Sequence, residues 1–264
     1  MASAEWLTTH FLAKSADRFR RFAELPIRRG EHVLDLCCGA GLFIPYILDL
    51  VGPTGQVTGL DHDPISLDVA HHRLSVLPHK NWQLIHSSVQ HHIANLERYD
   101  VVLMFNSIGY FSEPSELVRS IADRLRSHSR IIIKDFDLES FFFHPRDIEM
   151  WLRLIKNAKE QNDRDNPVKF DNFFGRRVFG LHRVGNFRNW SNLIWTQTMA
   201  FPFNEHEQEY IWRNIECLMK QAEGRCRPSI IDYFREMFHP RTPVFFRSPE
   251  AIFLENEFLT VLET

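Results

Sequence analysis

Short apolar runs separated by amphipathic stretches organise the first half of the chain. Segments 31–37, 56–60, 82–86, 99–105 and 130–135 are rich in branched and aliphatic residues, lack proline and are bounded by turn residues, which predicts buried strands. Between them, 42–50, 64–77, 90–96 and 113–126 place apolar residues at helical spacing, the last with Ser112 as cap and Pro114 in its first turn. Such alternation predicts a mostly parallel sheet with right-handed crossovers, covered by helices on both faces. A ligand on a sheet of this kind sits outside the carboxyl ends of the strands.

Residues 6–25 carry Leu7, Phe11, Phe19 and Phe22 among basic residues, which predicts an amphipathic helix over the sheet edge or the ligand mouth. After Asp135 the alternation stops. Segments 145–160 and 205–221 read as helices, 168–181, 193–203 and 258–262 as strands, and 186–192 as the turn of an antiparallel pair. Of the 23 phenylalanines, 17 follow Arg130, so an aromatic cap on the same domain is expected there. The expected division is a ligand-binding core with an N-terminal lid helix over 1–137, then a cap and substrate region with the final strands over 138–264.

Composition narrows the classes of function. The 31 basic and 34 acidic side chains give a formal charge of -3, balanced on either side of Arg130, so no bulk electrostatic grip on nucleic acid is expected. No stretch approaches the roughly 18 apolar residues of a membrane span, and Glu5 and His10 stand where a signal peptide would be apolar. Cys37, Cys38, Cys217 and Cys226 form no CxxC pair, and a reduced, cytoplasmic protein without a membrane partner is expected. The 14 histidines invite a metal reading. The adjacent pairs His71-His72 and His91-His92, however, would point about 100° apart on a helix and could not chelate one ion, so no metal is expected.

The most informative stretch is Val33-Leu34-Asp35-Leu36-Cys37-Cys38-Gly39-Ala40-Gly41, a strand carrying an acid and then a Gly-x-Gly turn into a helix. Small residues there let a ligand approach the backbone, and the free amides supply a polar rim. A dinucleotide fingerprint needs a third small residue where this chain has Ile44, and Asp35 would repel a pyrophosphate. The pocket wants a nucleoside without phosphates. Here the sequence resembles the class I S-adenosylmethionine-dependent methyltransferases, over 31 to about 137. The resemblance implies a Rossmann-like α/β fold with a seven-stranded, mostly parallel sheet and an aromatic-rich cap inserted after the fifth strand.

S-adenosyl-L-methionine is the cofactor so implied, with Asp35 available to its ammonium group and Gly39 and Gly41 in the turn beneath it. Asp61, in Gly59-Leu60-Asp61-His62-Asp63-Pro64, resembles the family acid that holds both ribose hydroxyls, and His62 takes the position that packs on the adenine face. Ser88 and Val89 match the adenine-edge motif by position, although the family usually has an acid where Ser88 stands. Asn106-Ser107-Ile108-Gly109-Tyr110-Phe111 resembles the loop beside the transferred methyl group, which makes Asn106 both a cofactor and a catalytic candidate. Each residue also has a plainer reading: Ser88 as a helix cap, His62 as a surface turn residue, the Gly-x-Gly as an ordinary strand–helix turn.

The expected reaction is in-line methyl transfer to nitrogen, oxygen or carbon of a small-molecule acceptor. Tyr110, His144, Asp137, Glu139 and the run Phe141-Phe142-Phe143 are the candidates for the acceptor site, the aromatic run being equally readable as core. Two alternatives stay open: a same-fold enzyme that cyclises S-adenosylmethionine or transfers its aminocarboxypropyl arm, and a non-catalytic module that binds the nucleoside.

Overall fold

The computed structural model describes residues 3–14, 18–165, 170–241 and 244–264. Strands β1 (His32–Leu36), β2 (Gln56–Asp61), β3 (Trp82–His86), β4 (Val101–Phe105) and β5 (Arg130–Phe136) are parallel and fall where the apolar runs predicted them. The last strand, β8 (Ile252–Glu263), runs antiparallel beside β5, continues past it to pair with the short β6 (Phe142–His144), and carries β7 (Asn189–Ala200) along its other edge. The order is β3-β2-β1-β4-β5-β8-β6 with β7 on β8, an eight-stranded sheet with one more strand than expected.

Alternation along the strands divides the core. Val101, Leu103, Phe105 and Ile132 face one side, where α3 (Ile44–Val51) packs; Val102, Met104, Ile131 and Ile133 face the other, against α6 (Pro114–Ala122). The N-terminal segment forms α1 (Ala4–Ala13) and α2 (Arg18–Ala23) instead of one helix. The Phe19 side chain, expected on its apolar face, lies outside the described residues.

Beyond β5, α7 (Ile148–Asp165), α8 (Glu205–Ala222) and α9 (Pro228–Phe238) build a separate apolar cluster on β6 and β8. One strand and one turn expected in this half are not found. The part of 168–181 that is described begins at Phe170, and Gly175–Arg183 is a 3-10 helix, because Phe174, Val178 and Leu181 are buried at helical rather than alternating spacing. Segment 186–192 is no turn: Asn189 already pairs with Glu263, and β7 matches β8 over its whole length.

The aromatic run alternates between core and surface. Phe141 and Phe143 are buried in the cap cluster, Phe143 with its ring centroid 5.0 Å from that of Trp151 and 5.2 Å from that of Phe238, while Phe142 is 40% exposed beneath Arg146. Phe143→Ala is therefore expected to cost about 3–5 kcal/mol of stability, and Phe142→Ala less than about 1 kcal/mol. Denaturant unfolding of both variants decides it; equal losses would mean that the run does not alternate between core and solvent.

Candidate functional site

The chain leaves β1 through a tight turn in which Cys37, Gly39 and Gly41 all have positive φ, at 65°, 52° and 66°. The turn directs the Gly39 N–H to Asp61 Oδ2 at the end of β2, 2.8 Å away, while the Asp63 N–H donates to Asp61 Oδ1 at 3.0 Å. Two backbone donors thus fix one carboxylate and leave each of its oxygens a further lone pair. Asp63 in turn caps α4 (Pro64–Ser75), accepting from the Ile65 and Ser66 amides and from Ser66 Oγ. Its carboxyl is held below the usual range, first by the Ser66 hydroxyl.

The glycines differ in purpose. At Gly39 a Cβ would come within 3.0 Å of Leu7 Cδ1 on α1, so the turn and the N-terminal helix approach each other closely. At Gly41 it would meet the Ala70 Cβ at 2.9 Å, so this residue lets α4 pack against the turn. Gly41 lies in the turn but does not line the cavity, and the space that a side chain would need there belongs to α4.

A cavity of about 510 Å³ opens beyond the turn. Its lining includes Gly39, Asp61, His62, Ser88, Val89, Asn106 and Tyr110, which brings most of the sequence candidates to one place. Ser88 Oγ also accepts from the His91 amide, so its capping role holds as well. Asp35 is buried behind the turn and is not part of the cavity wall; its Oδ2 has no hydrogen-bond partner in the structure. Burial, and then Asp61, push its carboxyl up to about 7. An orphaned buried acid beside a glycine turn suits a cationic group on a bound nucleoside.

Other candidates lie elsewhere. His144 is on β6, exposed, 3.9 Å from Glu250 and outside the cavity, because β6 is drawn to the far end of β8. Asp137 and Glu139 are engaged by Arg176, at 2.7 Å and 3.1 Å. Among the described residues, none after Ser112 lines the cavity; its roof is α1, through Leu7, His10 and Phe11, with Phe43 and Phe105 as further aromatic walls. The sequence pattern gave His10 no place in the site. Cys37 also faces the cavity, but burial pushes its thiol up to about 12, so it offers no thiolate.

Under α1 lies a buried polar network. Lys14 Nζ donates to Glu255 Oε1 at 2.8 Å and to Glu257 Oε1 at 3.2 Å, and it lies 3.2 Å from His10 Nε2. Lys134 Nζ donates to Glu257 Oε1 at 2.8 Å and to Asn106 Oδ1 at 2.7 Å. Tyr210 Oη and Gln197 Nε2 satisfy the remaining oxygens of Glu255 and Glu257. Among the described residues there is no group of three or more His, Cys, Asp or Glu side chains placed to hold a metal, and no helix is long and apolar enough to cross a membrane.

A family described as a methyltransferase domain matches residues 27–190. The demethylmenaquinone methyltransferase of Staphylococcus aureus strain JH9 is 35% identical over 69 residues, 26% of this chain and 28% of that protein. The chain thus matches just over a quarter of the length of the curated relatives. Among solved structures, the YcgJ protein of Bacillus subtilis superposes with a TM-score of 0.58 at 12% identity, over 92% of this chain and 96% of that one. An S-adenosylmethionine-dependent methyltransferase of Thiobacillus denitrificans, solved with S-adenosylhomocysteine, gives 0.54 at 12% identity over the full length of both. At these identities the superpositions establish the fold.

Asp35 gives the site a pH signature. Its carboxyl titrates higher in the folded chain than in the unfolded one, so its contribution to stability is complete at low pH and is lost as pH rises from about 4 to 7. Asp35→Asn should remove that loss, up to roughly 4 kcal/mol, and flatten the stability profile over this window. Urea unfolding at pH 5 and pH 8 measures it; parallel profiles for variant and wild type would show that Asp35 is not held protonated.

Proposed function

Because the chain belongs to the methyltransferase-domain family, we propose that it transfers the methyl group of S-adenosyl-L-methionine to a small-molecule acceptor inside the cavity roofed by α1. The observation that carries this reading is the roof itself. Leu7, His10 and Phe11 cover the region between Gly39 and Asn106, leaving a pocket of about 510 Å³ with aromatic walls instead of an open basic groove.

The cofactor supplies an electrophilic methyl group on a sulfonium. The protein's share is to bind, orient and exclude water. Asp61, held by the Gly39 and Asp63 amides, presents two oxygens spaced for a vicinal diol. Asp35 lies behind the turn with its Oδ2 unpartnered, and an ammonium group bound against the turn would favour its charged form. Val89 and His62 flank the space for the base, while Phe11, Phe43 and Phe105 surround the reacting end with rings whose faces attract a cation. We assign Asn106 to the boundary between cofactor and acceptor and Tyr110 to the acceptor side, and we drop His144 from the catalytic set.

Asp61→Ala should weaken S-adenosylhomocysteine binding by about 2–4 kcal/mol, since two charge-assisted hydrogen bonds are lost together. Titration calorimetry on a folded variant tests it, and an unchanged dissociation constant would remove Asp61 from the site. Product analysis then separates the chemistries: methyl transfer leaves S-adenosylhomocysteine, whereas cyclisation or aminocarboxypropyl transfer leaves methylthioadenosine.

A further inference from the structure

Resting on that reading, we propose that the acceptor is a carboxylate-bearing small molecule whose anionic group lies against the N–H donors of His10 and Asn106. The argument begins with two lysines that can only donate. Lys14 Nζ has three protons and three acceptors in reach, Glu255 Oε1 at 2.8 Å, Glu257 Oε1 at 3.2 Å and His10 Nε2 at 3.2 Å. His10 Nε2 therefore accepts, and the proton of the neutral ring sits on Nδ1. Burial, and after it Lys14, hold this imidazole well below its usual pKa, so no second proton is present. Lys134 Nζ, 2.7 Å from Asn106, fixes the amide in the same way, with the oxygen turned to the lysine and the NH₂ left over.

Both His10 and Asn106 line the cavity. In each, the lone-pair atom is taken by a buried ammonium, so what each has left for a ligand is an N–H donor. The same fact removes His10 as a general base, since the nitrogen that could take a proton is occupied.

Charge points the same way. Lys14, Lys134 and Arg18 are buried around Glu255 and Glu257, three cations against two acids in the immediate surroundings of His10, while Asp35 and Asp61 share this face of the sheet at the cofactor end. Arg18 stacks over Phe11 and Phe43, both cavity walls, with its guanidinium carbon 4.3 Å and 5.2 Å from the ring centroids. The oxygens of Glu255 and Glu257 are all engaged within the network. Tyr210 donates to Glu255, and burial raises its phenol well above the ordinary value, so it adds no charge. Asp135 follows Lys134 on β5 but turns to the opposite face, where the Phe136 and Gly109 amides hold it.

An amine brought to this end would meet N–H donors and a positive field. A carboxylate would meet two donors and a compensating charge. Phe11, Phe43 and Phe105 suit an aromatic or aliphatic body behind it.

The test uses the complex of the full chain with S-adenosylhomocysteine, which fills the cofactor site, and matched probes: benzoate and benzamide, phenylacetate and phenylacetamide, hexanoate and hexanamide, and benzylamine. Calorimetry should find acids bound at least about tenfold tighter than their amides, with benzylamine the weakest. His10→Phe, which keeps the ring packing, and Asn106→Asp, which replaces the donor by an oxygen, should each lower acid affinity by about tenfold or more. Acids that bind no better than amides, that fail to bind, or that keep full affinity in whichever variants fold would overturn the proposal. So would acid binding that disappears once S-adenosylhomocysteine is present, because the donors would then belong to the cofactor's own carboxylate. Failure of S-adenosylhomocysteine itself to bind the wild type would instead overturn the methyltransferase reading.

Discussion

Two glutamates buried on one strand set terms that the rest of the molecule has to meet. Glu255 and Glu257 on β8 are 0% and 1% exposed, and a carboxylate left unpaired at such depth would cost about 3–5 kcal/mol. Their ammonium partners come from two directions, Lys134 from the neighbouring β5 and Lys14 from α1. The helix over the cavity is thus pinned by charge at its end as well as by packing along its length. Trp6 stacks on Tyr210 at 5.9 Å, His10 meets the same ring edge-on at 5.2 Å, and the Tyr210 hydroxyl is itself tied to Glu255. Roof, sheet and cap meet at one carboxylate, and the position of the ligand cavity follows from that meeting.

Much of the fold was legible because it obeys simple periodicities. The five parallel strands announce themselves as apolar runs, since strands covered on both faces have no polar side to display. The final strand was read too short, at 258–262 instead of Ile252–Glu263. The cause is specific: Glu255, Asn256 and Glu257 interrupt the apolar pattern, and a local reading takes charged residues for solvent. Only partners distant in sequence make them tolerable inside. The 3-10 helix Gly175–Arg183 was mistaken for a strand because its aliphatic and aromatic content outweighed the spacing of Phe174, Val178 and Leu181.

The site divides along a similar line. Gly39, Asp61, His62, Ser88 and Val89 lie at strand ends in one stretch of chain, where local motif and spatial neighbourhood coincide. The roof was half seen: residues 6–25 were expected over the sheet edge or the ligand mouth, and Leu7 and Phe11 line the mouth, but His10 was read only as a polar residue foreign to a signal peptide. A usable signal did exist in Lys134, which directly follows Ile131-Ile132-Ile133 in a strand buried on both faces and could not have been there without an acidic partner. Placing the acceptor wall at Phe141–Phe143 failed because aromatic content locates a core, and here that core belongs to the cap.

The pairing between Lys14 and the two glutamates spans 241 and 243 positions of sequence. During synthesis the glycine turn, Asp61 and Asn106 leave the ribosome early, and the parallel strands around them can begin to associate. Lys14 meets its counter-charges only after residue 257 has emerged. Until then a nascent chain carries a nucleoside floor without a fastened roof, and the free energy of ligand binding becomes available to stabilise the fold only once β8 is in place. Helix α1 and strand β8 close the site together across that separation, so cofactor retention acts as a check that the intervening cap has been built.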